Sequence, residues 1–369
     1  LAQRNQDLGF ALRPDLPAAR LTVGERQQLE IMRLLSIGVQ LLILDEPTTG
    51  ISSHQRELLF DALKRLAARG KSILLVSHKL ADVQALCDTV TVLRQGRVAG
   101  QMTRPFDPDG LLAMMFGAAP AAYACTAALP GGPLLDMQAV SAPGGRTGLL
   151  DCTVSIRHAE VVGLAGLEGS GQEVFLRLAA GLARPAGGEI RLLGQKMNAR
   201  THQDFKQRGV TFLPAARMEQ GLVSGLTLAD HFALSQGAGG FWIDRRRAGA
   251  AAREAIEGFF IKGRPQTPVD SLSGGNQQRL LLSLIPQDTR LLLMENPTRG
   301  LDVASVHWVW QKLCSASMSR TILFSSAEVE EILMVADRVL VFFEGRLLLD
   351  RPAARTDAGI LGRAIAGTL

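Results

Sequence analysis

The chain has 369 residues, of which 47% are hydrophobic, 20% charged and 5% aromatic. That length suits two or three domains with cores of their own, and the balance excludes a disordered chain, a collagen-like repeat and a disulfide-stapled miniprotein. The net charge of +5 is spread over 40 basic and 35 acidic residues, with Arg245-Arg246-Arg247 the longest basic run, so nucleic acid is not an expected partner.

In chain order, the first strong element is LLILDEP at Leu41–Pro47. A continuous apolar run closed by turn residues predicts a strand buried on both faces of a parallel sheet. Ser52 or Ser53 then caps a helix whose Leu59, Leu63 and Leu66 share one face, and Gly70 ends it. SILLVS at Ser72–Ser77 is the next strand, followed by a helix and a hairpin that turns at Gln95-Gly96. Gly110–Leu135 carries no charge over 26 residues, but Pro120, Pro130 and Pro133 spoil it as a membrane span. It reads as a short buried helix at Leu111–Phe116 and a linker. Further on come a strand in EVVGLAG (Glu160–Gly166), a glycine loop, and a helix from Gln172 to about Leu182. Alternating strands and helices predict an α/β fold with a mainly parallel sheet. Cys87, Cys125, Cys152 and Cys314 lie far apart without C-x-x-C spacing, against a zinc site and a disulfide framework and in keeping with a reducing cytoplasm.

The chain repeats itself. LTVGERQQ (Leu21–Gln28) matches LSGGNQQR (Leu272–Arg279) at an offset of 251, and LDEPTTG (Leu44–Gly50) matches MENPTRG (Met294–Gly300) at 250. The segment that starts SILLVSHKLADV at Ser72 matches the one that starts TILFSSAEVEEI at Thr321, at 249. Three matches in the same order mean two copies of one domain. Copy two begins near Leu134, 138 positions before Leu272, whereas only 20 residues precede Leu21. About 118 residues of the first copy are therefore expected to be missing.

LLILDEPT has the form of a Walker B strand. It delivers Asp45 to the carboxyl end of the sheet, where an aspartate can hold Mg²⁺, and Glu46 beside it can polarise an attacking water. Gly70-Lys71-Ser72 is no phosphate loop, because Arg65 stands where the pattern needs glycine; it reads as a helix end and a strand start. The scattered histidines lack metal spacing, Trp308 and Trp310 read as anchors of a helix on the sheet, and Met114 and Met115 as core filler.

With LTVGE and LSGGNQQ as signatures, LLILDEPT and LLLMENPT as Walker B segments, VSHK as a histidine switch and GLDV as a D-loop, the chain resembles the ATP-binding cassette (ABC) ATPases. The tandem arrangement resembles their sugar and nucleoside importer subfamily. The resemblance implies a P-loop NTPase-like fold with an antiparallel β portion and a helical subdomain. It implies ATP and Mg²⁺ as cofactors and head-to-tail pairing of cassettes. It also implies a separate transmembrane permease, an indirect link to a periplasmic or lipid-anchored substrate-binding protein, and a peripheral place on the cytoplasmic face of the membrane. The expected domains are residues 1–105 as the later part of a first cassette, 106–133 as a helix and linker, and 134–369 as a second cassette.

Carried over residue by residue, the resemblance makes Glu46 and His78 catalytic and Asp45 and Glu295 metal ligands. Nucleotide contacts fall to Thr22, Gly24 and Glu25 of the first signature, and to Ser273, Gly274, Gly275 and Gln277 of the second. The phosphate loop of copy two is Gly166, Gly169, Ser170, Gly171, Gln172 and Glu173. Here the sequence departs from GxxxxGK[ST]: Gln172 replaces the lysine and Glu173 the hydroxyl that reaches Mg²⁺. Asn296 stands where copy one has Glu46, Ala327 where it has His78, and Ala215 and Ala216 replace two acids of a Pro-Glu-Asp-Arg motif ending at Arg217. The second site is therefore expected to hydrolyse ATP inefficiently, and this chain alone to bind ATP poorly and lack a complete hydrolytic site. Gln172 resembles nucleoside-type second cassettes more than ribose-type ones, which usually carry arginine. A non-transport ABC ATPase and a decayed binding-only fragment are the alternative readings.

Overall fold

The computed structural model describes residues 5, 8, 10, 12–18, 21, 23–48, 53–77, 79–94, 96–116, 131–235, 243–301, 303–315 and 320–368. The chain divides into two compact units, Leu1–Ala122 and Tyr123–Leu369.

In the first unit, β1 (Leu41–Asp45) and β2 (Ser72–Val76) pair in parallel, with Leu41 opposite Ser72 and Asp45 opposite Val76. The Val23–Ser36 and Ser53–Ala68 helices pack on one face of this pair. Leu59, Leu63 and Leu66 share the buried stripe that their spacing predicts, with Leu42, Leu44, Ile31 and Met32 across from them. Gly70 adopts φ +79° and ends the second helix; Ser72 opens β2, as the reading of Gly70-Lys71-Ser72 required. β3 (Thr89–Arg94) and β4 (Arg97–Thr103) form the antiparallel hairpin, with Gly96 left-handed at its turn. The Pro108–Phe116 helix follows, with Leu111 buried in it. Residues 117–130 of the expected linker lie outside the described residues.

Burial of β1 on both faces is corrected. Leu42 and Leu44 are buried, but Leu41 is 53% and Ile43 62% exposed, as are Leu74 and Val76 of β2 by about half. The reason is visible in the second unit. There Leu291 and Leu293, the counterparts of Leu41 and Ile43, are fully buried in a cluster with Val162, Leu164, Phe175 and Leu178. No layer of that kind covers β1 among the described residues.

In the second unit, β5 (Pro133–Ala142), β6 (Leu149–Arg157), β8 (Gly187–Leu192) and β9 (Gln195–Lys196) form an antiparallel sheet in the order β6-β5-β8-β9. The main sheet holds β7 (Val161–Ala165), β10 (Val210–Leu213), β11 (Leu291–Glu295), β12 (Thr321–Ser325), β13 (Arg338–Phe343) and β14 (Arg346–Pro352), ordered β10-β11-β12-β7-β13-β14. Only the β13–β14 pair is antiparallel, so the mainly parallel α/β reading stands. β7, β11 and β12 are buried on both faces, as their apolar runs require. Arg338 ties the two sheets: its Nη1 donates to Ser155 O of β6 at 2.9 Å, while Nη2 pairs with Asp350 at 2.6 Å. The Leu228–Ser235, Arg245–Gly258 and Gly274–Ser283 helices form the helical portion on one side of the core.

Three local readings are refined. The helix after the glycine loop is Gln172–Ala179, shorter than expected, because Gly181 turns left-handed at φ +67° and its N–H closes on Leu178 O. Trp310 anchors its helix on the sheet, with its ring 4.6 Å from that of Phe324, whereas Trp308 packs on Phe259 and under the Arg279 guanidinium. Cys314 is disulfide-bonded, and Cys87 and Cys152 are free thiols.

Candidate functional site

The glycine loop of the second unit leaves the carboxyl end of β7, which lies in the sheet between β12 and β13, the edge at which open α/β sheets bind ligands. Gly166, Gly169 and Gly171 all have positive φ (152°, 84° and 117°), which side-chain-bearing residues resist. Gly169 also backs onto the β5–β6 turn: a Cβ there would lie 2.8 Å from Arg146 Cβ, and Thr147 Oγ1 donates to Gly169 O at 2.9 Å. Ser170 is buried, and its N–H donates to Leu167 O, which closes the loop on itself. Gln172 folds back into the loop. Its Nε2 donates to Gly166 O at 3.2 Å and Leu167 O at 2.9 Å.

Glu295 ends β11 and is buried, its Oε2 accepting from Ala215 N at 3.3 Å. Burial pushes its carboxyl above the ordinary range; the Ala215 N–H and the Arg177 guanidinium pull it back. Arg177 Nε stands 3.4 Å from Glu173 Oε1 and 3.6 Å from Glu295 Oε1, and Arg177 Nη2 donates to Gln220 at 3.1 Å. Sequence reasoning missed Arg177. The signal was there in the Glu173–Arg177 spacing of four, which places the pair on one helix face.

The second signature opens the Gly274–Ser283 helix with Ser273 as N-cap. Ser273 and Gly274 are exposed, and Gly275 and Gln277 half-buried. Asn276 stiffens the turn: its Nδ2 donates to Ser273 Oγ at 2.8 Å and its Oδ1 accepts from Lys262 N at 2.8 Å. Arg217 braces the same turn from outside. Its Nε donates to the buried Gln278 side chain at 2.8 Å, its Nη1 to Gly274 O at 3.4 Å, and its Nη2 to Arg299 O. Arg217→Ala is expected to destabilise this region by about 1.5–3 kcal/mol, the range for hydrogen bonds to a charged donor, since Gln278 loses its partner in the interior. Hydrogen exchange at Ser273–Gln277 should speed up by tenfold or more, and lysine at 217, without the planar fork, should not rescue it.

In the first unit, Gly24 is buried with Gln55 against it: a Cβ there would lie 2.7 Å from Gln55 Cδ. Glu25 sits in the first turn of the Val23–Ser36 helix. Thr22 and His78 lie outside the described residues. Asp45 is exposed at the end of β1, a single carboxylate of the kind that holds a hydrated Mg²⁺ against phosphates. In the second unit the donors do not fit that ion: the hydroxyl position is Glu173, and Arg177 already lies between its carboxylate and that of Glu295.

The two units share one piece of local geometry after these acids. Glu46 and Asn296 are both left-handed (φ 46° and 44°), and their N–H groups donate to Val76 O and Ser325 O, each at 2.9 Å. Non-glycine residues in this conformation are sparse and concentrate at functional sites. Thr48 Oγ1 then bonds the buried Asp82, as Thr298 Oγ1 bonds the buried Glu331 at 2.5 Å.

The ABC transporter family matches residues 149–299. The chain is 33% identical to the ribose import ATP-binding protein RbsA 1 of Rubrobacter xylanophilus, over 98% of this chain and 74% of that protein. The chain belongs to the ABC transporter ATP-binding family. It is also 32% identical to the arabinose import ATP-binding protein AraG 2 of Burkholderia thailandensis, over 92% of this chain and 66% of that protein. It thus spans about two thirds of the length of such curated relatives. Among solved structures, an ATP-binding cassette of an ABC transporter aligns over 64% of the chain (TM-score 0.55, 14% identity), and a dimeric cassette bound to ADP and Pi over 60% (TM-score 0.51, 19% identity). Both show the cassette fold.

Proposed function

We propose that the chain is part of the ATP-binding subunit of an importer and energises uptake of a small sugar through a separate membrane permease. What carries this reading is the similarity to sugar-import ATP-binding proteins along 92–98% of the chain, across both units. In this reading residues 1–105 and 134–369 derive from two cassettes joined by 106–133. The recurrence of the left-handed residue and the buried Thr–carboxylate bond at equivalent places supports that view. Asp45 holds Mg²⁺, Glu46 polarises the attacking water, and His78 contacts the γ-phosphate. Thr22, Gly24 and Glu25, with Ser273, Gly274, Gly275 and Gln277, serve as the two signatures. The second unit's loop, Gly166 to Glu173, binds ATP weakly and does not hydrolyse it, because Gln172, Glu173 and Asn296 replace the groups that the chemistry needs.

Among the described residues no helix is long and apolar enough to cross a membrane. In this reading the chain associates with the permease peripherally, at the cytoplasmic face of the membrane. Gln172 is the one residue that favours a nucleoside over a sugar as cargo. Uptake separates the two. Cells that lack the gene are expected to lose uptake of a labelled pentose or hexose, restored by the wild-type gene and not by Glu46→Gln. Normal sugar uptake with lost nucleoside uptake would transfer the cargo to nucleosides, and no change in either would overturn the transport reading.

A further inference from the structure

We infer that Arg177 is the resident cation of the second unit's phosphate-loop site and takes the electrostatic place of a divalent metal there. The inference deepens the reading of that loop as a degenerate nucleotide site, but its test uses metal alone. Three observations carry it. Arg177 Nε lies within ion-pair distance of both carboxylates, 3.4 Å from Glu173 and 3.6 Å from Glu295, so one guanidinium already neutralises part of the charge that would draw a cation. The same guanidinium is held from a third side, by Gln220 Oε1 at 3.1 Å. The oxygen of Gln172 that could serve a metal belongs to a side chain turned inward on Gly166 O and Leu167 O.

The chemistry of the donor set agrees. Mg²⁺ demands close, near-octahedral oxygen ligation and keeps most of its waters, bound through one or two carboxylates and the substrate's phosphates. To enter here it would have to expel a guanidinium that is two-thirds buried, and strand it beside the carboxylates it had paired with. The Glu295 side chain is 8% exposed, and among the described residues Arg177 is the cation within ion-pair distance of it, so it stays paired only while Arg177 remains. The site is thus charge-compensated by the protein. Removal of Arg177 should turn the two carboxylates into a metal site.

The test is a Mn²⁺ titration of the intact chain without nucleotide, read by the electron paramagnetic resonance of free Mn²⁺. Wild type is expected to show no bound Mn²⁺ that Glu295→Gln releases. Arg177→Gln is expected to gain one Mn²⁺, bound at least tenfold tighter than any in wild type, and Arg177→Gln with Glu173→Gln to lose it again. Wild type holding a Mn²⁺ that Glu295→Gln releases would overturn the inference, as would a folded Arg177→Gln that gains none. Where Arg177→Gln fails to fold, the wild-type and Glu295→Gln titrations decide alone. None of these outcomes touches the reading of the loop as a nucleotide site, which stands or falls on nucleotide binding.

Discussion

Glu331→Ala is expected to destabilise the second unit by about 3 kcal/mol or more, which for a domain of this size lowers Tm by about 6–12 °C. The carboxylate is buried and accepts three hydrogen bonds: from Thr298 Oγ1 at 2.5 Å, Trp310 Nε1 at 2.7 Å and Ser326 Oγ at 2.5 Å. It therefore joins the turn after β11, the Val303–Ser315 helix and the end of β12 at one point. Alanine leaves three buried donors without a partner, together with a cavity. Burial holds the Glu331 carboxyl above its ordinary value of 4.5, against the pull of those three bonds. Since the folded-state value is the higher one, its contribution is fully present below the ordinary value and is lost as pH rises through the raised one. Glu331→Gln, which cannot ionise, should therefore gain stability relative to wild type as pH rises above 4.5 through that range. Thermal melts followed by fluorescence read this directly, because Trp242, Trp308 and Trp310 all lie in the second unit. A Glu331→Ala variant that melts within 2 °C of wild type (less than about 1 kcal/mol) would show that the three bonds contribute little.

Gln172→Lys with Glu173→Thr is expected to tighten ATP binding by about 10–100-fold. Lysine at 172 supplies the charge-assisted contact to the phosphates, of about 1.5–3 kcal/mol, and threonine at 173 removes a carboxylate from beside them. The backbone needs no rebuilding, because the left-handed glycines and the helix start are in place. Equilibrium dialysis with labelled ATP measures the change; equal affinity in the double variant and wild type would mean that the loop is not where ATP binds.

Much of the fold was legible because the repeat and the apolar runs carried it. LLLME at β11 and TILFS at β12 are buried on both faces as their composition demands, and Leu59, Leu63 and Leu66 form the stripe that their spacing requires. β1 was not legible in the same way. Its sequence is as apolar as that of β11, but burial depends on what lies across the sheet, and a strand's own residues do not encode that neighbour. The site divides similarly. The glycines of the loop announce themselves, since only their φ angles permit the turn. The Glu173–Arg177 spacing shows one partner of Arg177, but its pairing with Glu295, and that of Arg217 with Gln278, emerge only once helix, strand end and signature turn are brought together.

The most direct test of the account is phosphate release from MgATP by the purified chain. The account predicts that any turnover is unchanged by Gln172→Ala or Glu295→Gln, because the second unit's loop lacks the lysine, the hydroxyl and the acidic residue after β11. Robust turnover lost on Gln172→Ala or Glu295→Gln would contradict it, and would make this loop, with its resident arginine, a working hydrolytic site.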